Sequence, residues 1–394
     1  MRASASQLDT PALARAKPCC WVPLFSLIMA LLLIALVIAL YFLRYDSLSY
    51  ALLKHFIDPQ ANGPLLRAET HNVTMAEVAV PTVIGAVRAK LYMPVDISHP
   101  GGMVAVHGIH HLGMNEPRLV GFARAVASSG LAVLTPQVDS LADYHVDATS
   151  IPVIGESATW LDRRLGNHTV TVTGISFAGG LALLAAIDPR YESHMRALVL
   201  MGAYDDLARV SRFLATGEQE LPNGQKEPHP AHDYGASVFV YAHLNQFFPA
   251  GDLPVAHQAL RNWLWEEPEK AKPLLERLSP AAQATMDALL NRRIDQMRPQ
   301  ILKAIHADEI ELAALSPRGH MENLRVPVYI LHGSADNIIP PAESLWLARD
   351  LPHKAVRDVL ITGAFSHVDP EKSASIWEEL RLVHFIGGVL RAAN

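Results

Sequence analysis

The chain has 394 residues, half of them hydrophobic, and a formal net charge of −6. That length accommodates one large α/β domain with an insertion or two ordinary domains. The mild acidity leaves no basic footprint for nucleic acid. The only cysteines are Cys19 and Cys20, so the rest of the chain carries neither a disulfide framework nor a thiolate metal site.

Trp21 to Leu43 contains no charged residue, and a helix rising about 1.5 Å per residue over that stretch crosses a hydrocarbon core of roughly 30 Å. We therefore expect a short tail over 1–20 and a transmembrane anchor over 21–43. Trp21, Tyr41 and Tyr45 stand where interfacial aromatics belong, and Lys17 and Arg44 bracket the run. The run is longer than the apolar part of a signal peptide, and no Ala-x-Ala site follows it. Arg2, Arg15 and Lys17 modestly outweigh Arg44 and Lys54, which favours a cytoplasmic N-terminus and an extracytoplasmic domain. Cys19 and Cys20 lie beside the membrane, either as palmitoylation sites or as free thiols.

Residues 44–72 read as a helical or irregular tether, apolar at Leu52, Leu53 and Phe56, with no chemistry to offer. Val73–Pro81 and Ala86–Pro94 predict an antiparallel pair turning near Gly85. Met103–Val106 is a buried-type strand ending in His107-Gly108-Ile109-His110-His111. A glycine directly after a strand lets the backbone approach a ligand closely. The three histidines lack acidic or histidine partners at clear ligand spacing, so we expect them to be supporting or solvent-facing and no metal to be bound. Leu119, Phe122, Ala123 and Val126 fall at i, i+3, i+4 and i+7, a helix closed by Gly130. Leu131–Thr135 is the next strand, and a helix around Ser157–Arg164 follows.

Thr169 to Thr173 are all β-branched and favour a strand. The chain then runs Gly174-Ile175-Ser176-Phe177-Ala178-Gly179-Gly180 into the apolar helix Leu181–Ile187. A serine pinned between a strand end and a helix start matches the nucleophile elbow, Gly-x-Ser-x-Gly, with Ala178 in the last position. Ala197–Met201 supplies another strand. Residues 205–318 change character: helical segments broken by Pro222, Pro228, Pro249, Pro268 and Pro280 predict an inserted helical cap. Its aromatics, among them Phe239, Tyr241, Phe247, Phe248, Trp263 and Trp265, read either as the core of that cap or as the lining of a lipophilic pocket. The sheet resumes at Val326–Leu331, followed by His332-Gly333-Ser334-Ala335-Asp336. Ala355–Ile361 precedes Phe365-Ser366-His367-Val368, and Ile376–Leu390 is a closing amphipathic helix. Strands and helices alternate as a doubly wound, mostly parallel sheet requires.

Three stretches, Gly-Ile-Ser-Phe-Ala-Gly, Leu-His-Gly-Ser-Ala-Asp-Asn-Ile-Ile-Pro and Phe-Ser-His-Val, stand in the order nucleophile, acid, histidine. In this the chain resembles the α/β-hydrolase fold superfamily, with a core over 73–204 and 319–394 interrupted by the cap. The resemblance implies a catalytic triad of Ser176, Asp336 and His367, and an oxyanion hole from the backbone N–H groups of Phe177 and Ile109. It implies a serine esterase or lipase-like enzyme without cofactor, acting on a small-molecule or lipid-like ester. Thioesterase, amidase or peptidase, acyltransferase and a silent ligand-binding member share the same frame. Asp205 or Asp206 is the rival acid, and His332 is expected to pack beneath the acid turn.

Overall fold

A computed structural model describes residues 21–166, 168–364 and 375–394, the side chains of 21–24 excepted. The described residues divide into two compact units, one ending at Arg44 and the other spanning Tyr45–Asn394. Helix α1 (Trp21–Ile57) begins in the first. From Phe25 on it has a most apolar window of mean hydropathy 2.9 with no buried share. It is long and apolar enough to cross a membrane, as an anchor or as a signal sequence. Its C-terminal part belongs to the second unit, where Leu48, Ala51, Leu52 and Leu53 are buried. A short helix α2 (Pro64–Glu69) follows.

The second unit is built on strands β1 (Val73–Thr82), β2 (Gly85–Pro94), β3 (Gly102–Val106), β4 (Ala132–Pro136), β5 (Val170–Ile175) and β6 (Met195–Met201). They alternate with α3 (Pro117–Ser128), α4 (Asp139–Ala142), α5 (Ser150–Arg164) and α6 (Phe177–Ile187). Then come α7 (Leu207–Thr216), a ribbon of β7 (Glu218–Glu220) and β8 (Lys226–Pro228), and α8 (Asp233–Ala242), α9 (Leu253–Leu264), α10 (Pro268–Leu275), α11 (Pro280–Leu290), α12 (Ile294–Ala307) and α13 (Glu309–Ala314). The chain closes with β9 (Val328–Gly333), α14 (Ala342–Asp350), β10 (Val356–Thr362) and α15 (Ile376–Ala393). Eight strands form one sheet in the order β1-β2-β4-β3-β5-β6-β9-β10. β1 and β2 are antiparallel, β2 meets β4 antiparallel, and every later neighbour is parallel.

Strands β3 and β4 are buried along their whole length and β5, β6 and β9 nearly so, as inner strands covered on both faces are, whereas the edge strand β10 exposes Arg357 and Asp358. Along β3 the side chains alternate between two layers. Val104 and Val106 join a core with α5 and α6, whereas Met103 and Ala105 join a second core with α3, α15 and the end of α1. α5 begins at Ser150, ahead of the expected start, because Pro152 falls in the first turn, where its missing N–H costs nothing. Pro268 and Pro280 likewise open α10 and α11 rather than interrupting them.

Candidate active site

Ser176 is the residue between β5 and α6, with φ +57° and ψ −131°. A side chain in that region stores about 1–3 kcal/mol of strain, which the surroundings must hold in place. They do so through its N–H, which donates to the Met201 carbonyl at 2.7 Å, and its own carbonyl, which accepts from Gly179 N–H at 2.9 Å. The glycines are steric necessities. A Cβ on Gly174 would sit 2.6 Å from Gly179 Cα, and one on Gly179 would sit 2.4 Å from Ala203 Cβ. Ala178 is fully buried in the same turn. Phe177, the first residue of α6, carries one of the backbone N–H groups that have no partner within the helix.

The turn after β3 lies against this serine. A Cβ on Gly108 would be 3.0 Å from Ser176 Cβ and 3.6 Å from its Oγ, so only glycine lets the backbone pass so close. His107 fixes the turn from behind. Its Nε2 accepts from Val138 N–H at 3.0 Å, which leaves the proton on Nδ1 to donate to the Gly108 carbonyl at 2.7 Å. Burial pushes its pKa down to about 4, and this neutral imidazole braces the loop that carries Ile109. His110 Nδ1 accepts from Leu112 N–H at 3.2 Å and its ring stacks on His111, 4.7 Å away, which stacks in turn on Trp265.

Asp336 follows β9 and is wholly buried. Its Oδ1 accepts from the N–H groups of Ile338 at 2.9 Å and Ile339 at 3.1 Å, which fixes the carboxylate in the turn. His332 packs beneath it. Its Nε2 donates to the Ile339 carbonyl at 2.9 Å and stands 3.4 Å from Asp336 Oδ2, while Nδ1 bonds the Ser344 hydroxyl at 2.6 Å. His229, from the insertion, donates to the Asp336 carbonyl at 2.8 Å. His367 lies outside the described residues. Gly333 pairs with Thr362 across the parallel strands β9 and β10. The acid turn and the end of β10 therefore lie at the same edge of the sheet as Ser176.

The rival acids are occupied elsewhere. Arg209 donates from Nη2 to Asp205 at 2.9 Å and from Nε to Glu343 at 2.5 Å, and Glu343 also accepts from the N–H groups of Asp205 and Asp206. Asp206 pairs with Arg318 at 2.8 Å. Burial, with Glu343 close by, pushes the Asp205 carboxyl up to about 7 despite Arg209. Such a group serves poorly as the ionised partner of an imidazolium. Sequence reasoning missed Glu343, which is 134 positions from Arg209 and carries no local signature.

Residues 136–370 match the family described as alpha/beta hydrolase fold. The chain belongs to that family. Among solved structures of the fold, a Legionella pneumophila protein described as a hydrolase superposes with TM-score 0.54 at 13% identity, covering 89% of this chain and 95% of that one. The esterase domain of a Rhodothermus marinus protein gives 0.42 at 14%, covering 80% and 96%. Acylaminoacyl peptidase from Pyrococcus horikoshii gives 0.46 at 12%, with 82% of this chain against 41% of that longer one. At these identities the likeness is one of fold. No curated protein sequence matches the chain.

On this α/β-hydrolase frame two cavities meet at Ser176, Ile109, His110 and Arg118. One, of about 400 Å³, lies beneath the insertion and has a mixed lining, with Asp233, Glu266 and Arg292 beside Tyr144, Trp263, Phe177, Leu214 and Leu289. The other, of about 140 Å³, lies on the opposite layer, between the sheet and α3, α15 and the end of α1. Leu52, Leu53 and Phe56, read from sequence as an inert tether, form part of its wall. The aromatics of the insertion divide. Trp263 borders the larger cavity, whereas Phe247 is a buried part of the insertion's own core with its ring against Phe239. Phe239 does line apolar space, a separate cavity of about 140 Å³ shared with Ile109, Phe177, Leu214 and Val238.

Proposed function

We propose that this is a membrane-anchored serine hydrolase that cleaves carboxylic esters through an acyl-enzyme on Ser176. The observation that carries this reading is the strained φ of Ser176 in a glycine-lined elbow with the Gly108 turn against it. Serine is a weak nucleophile at neutral pH, so His367 accepts its proton as Oγ attacks the ester carbonyl carbon. The carbonyl oxygen becomes an oxyanion held by the N–H groups of Phe177 and Ile109, donors of a kind worth a few kcal/mol each. Asp336 orients His367 and stabilises its cation. Collapse of the tetrahedral adduct breaks the C–O bond, and His367 returns the proton to the departing alcohol. Water, deprotonated by the same imidazole, then cleaves the acyl-serine bond and releases the acid. α1 anchors the enzyme, with the domain after Arg44 outside the cytoplasm.

The test is a fluorophosphonate label on the full chain, with an ester panel read alongside. Wild type labels at Ser176. Ser176→Ala loses the label and about four orders of magnitude in kcat while keeping its melting temperature, since triad members act as a unit. Labelling that survives Ser176→Ala refutes the assignment.

A further inference from the structure

The 140 Å³ cavity that meets Ser176 has the chemistry of a hydrocarbon site. Away from the serine its wall, among the described residues, is aliphatic and aromatic apart from the Thr173 hydroxyl, with Met103 and Val199 from the sheet, Leu119 and Val126 from α3, and Phe385 and Val389 from α15. These belong to the second core, and in a filled layer their side chains would meet. An empty cavity of about 150 Å³ lined by such residues stays dry and binds benzene, so this volume suits an alkyl segment and not a string of waters. Its lining runs over Met103 to His107, four strand residues or about 13 Å, and over Leu119 to Val126, about 10 Å of helix. One end is Ser176, beside the Gly108 turn. At the wall formed by α1 and α3 the Phe56 and Phe122 rings meet edge to face at 6.1 Å.

We propose that this cavity receives the acyl chain of the substrate, while the cavity of mixed polar and apolar lining beneath the insertion receives the alcohol part. The substrate class is then an ester of a medium-chain fatty acid with a polar alcohol, an amphiphile divided at its carbonyl by Ser176. This rests on the esterase reading.

Two measurements on the full chain in lipid nanodiscs separate this inference from the esterase reading. The first needs no catalysis. Ser176→Ala protein is photolysed with decanoic acid bearing a diazirine at its tail, and the cross-links are mapped. Adducts on residues 119–126, 385–390 or 52–56 that unlabelled decanoate competes away support the proposal. Adducts on residues 233–292, or none that compete, overturn it. The second is the ratio of decanoyl to acetyl ester turnover. Val126→Phe fills the cavity and lowers that ratio about ten-fold or more, and Phe122→Ala enlarges it and moves the optimum to a longer chain. A ratio unmoved in both variants also overturns the proposal. Failure of every fluorophosphonate to label Ser176 would remove the esterase reading and leave the photolabelling result standing.

Discussion

The two cavities that meet at Ser176 are held by different physics. The apolar one is walled by hydrocarbon from β3, β6, α3, α15 and the end of α1, whose packing is non-directional and tolerant of an incomplete fill. The other, of mixed polar and apolar lining, lies under an insertion tied down by directional polar contacts. These are the Asp205–Arg209–Glu343 cluster, the Tyr144 hydroxyl donating to the Leu264 carbonyl at 2.7 Å, and Trp346 Nε1 donating to the Glu220 carbonyl at 2.7 Å. A site built this way can vary its polar half by changing the insertion without disturbing the sheet. Its apolar half is bound into the core and changes only with it.

The largest expected difference between the halves is their response to removing a single group. Arg209→Leu leaves Glu343 and Asp205 buried without their cation, at a cost of about 3–5 kcal/mol. The Asp205 carboxyl, already pushed up by burial, loses the cation that opposes that shift, so the folded state binds more protons than the unfolded chain and the loss shrinks as pH falls from 7 towards 5. Leu390→Ala, in the apolar half, costs about 2–5 kcal/mol through its cavity and shows no such pH dependence. Urea midpoints at the two pH values provide the check, and parallel shifts in both variants would abolish the distinction.

A smaller effect attaches to the partition between the cavities, the turn braced by His107. Its pKa is near 4 when folded and the usual 6.5 when unfolded. Below 6.5 the unfolded chain takes up a proton that the folded protein refuses until about 4. Stability from this group is therefore full at pH 7 and falls with pH across that window, by about 3 kcal/mol at most. The charges facing it are His110, which opposes protonation, and Asp139 and Glu116, which favour it. His107→Gln can keep both hydrogen bonds without titrating. Unfolding followed from pH 7 to pH 4 should show a shallower decline in that variant, and an equal decline would show that the histidine does not carry this acid sensitivity.

What could be read from sequence follows from how local each feature is. The elbow was legible because β-branched residues, small residues and an apolar helix lie within Thr169–Ile187 and each constrains the backbone directly. The β1–β2 pair was legible through its alternation and Gly85, which adopts φ +116°. The apolar cavity was not, because Leu53, Met103, Leu119, Val199 and Val389 come from five separate segments, each of which reads as ordinary core. Nor was the role of His107, since nothing local distinguishes a histidine that braces a loop from one facing solvent; Val138, its donor, is 31 positions away. Trp263 and Phe247 were indistinguishable for the same reason. Both are large aromatics of the insertion, and only tertiary packing decides which one reaches the site.

That pair provides the finest test of the comparison. Trp263 is 38% exposed and borders the mixed cavity beneath the insertion, while Phe247 is 5% exposed within the insertion's core. If the alcohol part of the substrate lies beside Trp263, its ring contributes contact area to that part alone, and binding energy there can be used at the reacting carbonyl. Trp263→Ala should then lower kcat/KM by about 1–2 kcal/mol for esters of a bulky alcohol and much less for methyl esters, at every acyl length. Phe247→Ala should instead lower the melting temperature, with a cost of about 3–5 kcal/mol, and reduce all substrates alike in proportion to the protein left folded. Steady-state kinetics on a grid of acyl and alcohol lengths, read beside melting curves, separates the two. A Trp263→Ala penalty that grows with acyl length and ignores the alcohol would place the acyl chain beneath the insertion and exchange the roles of the two cavities.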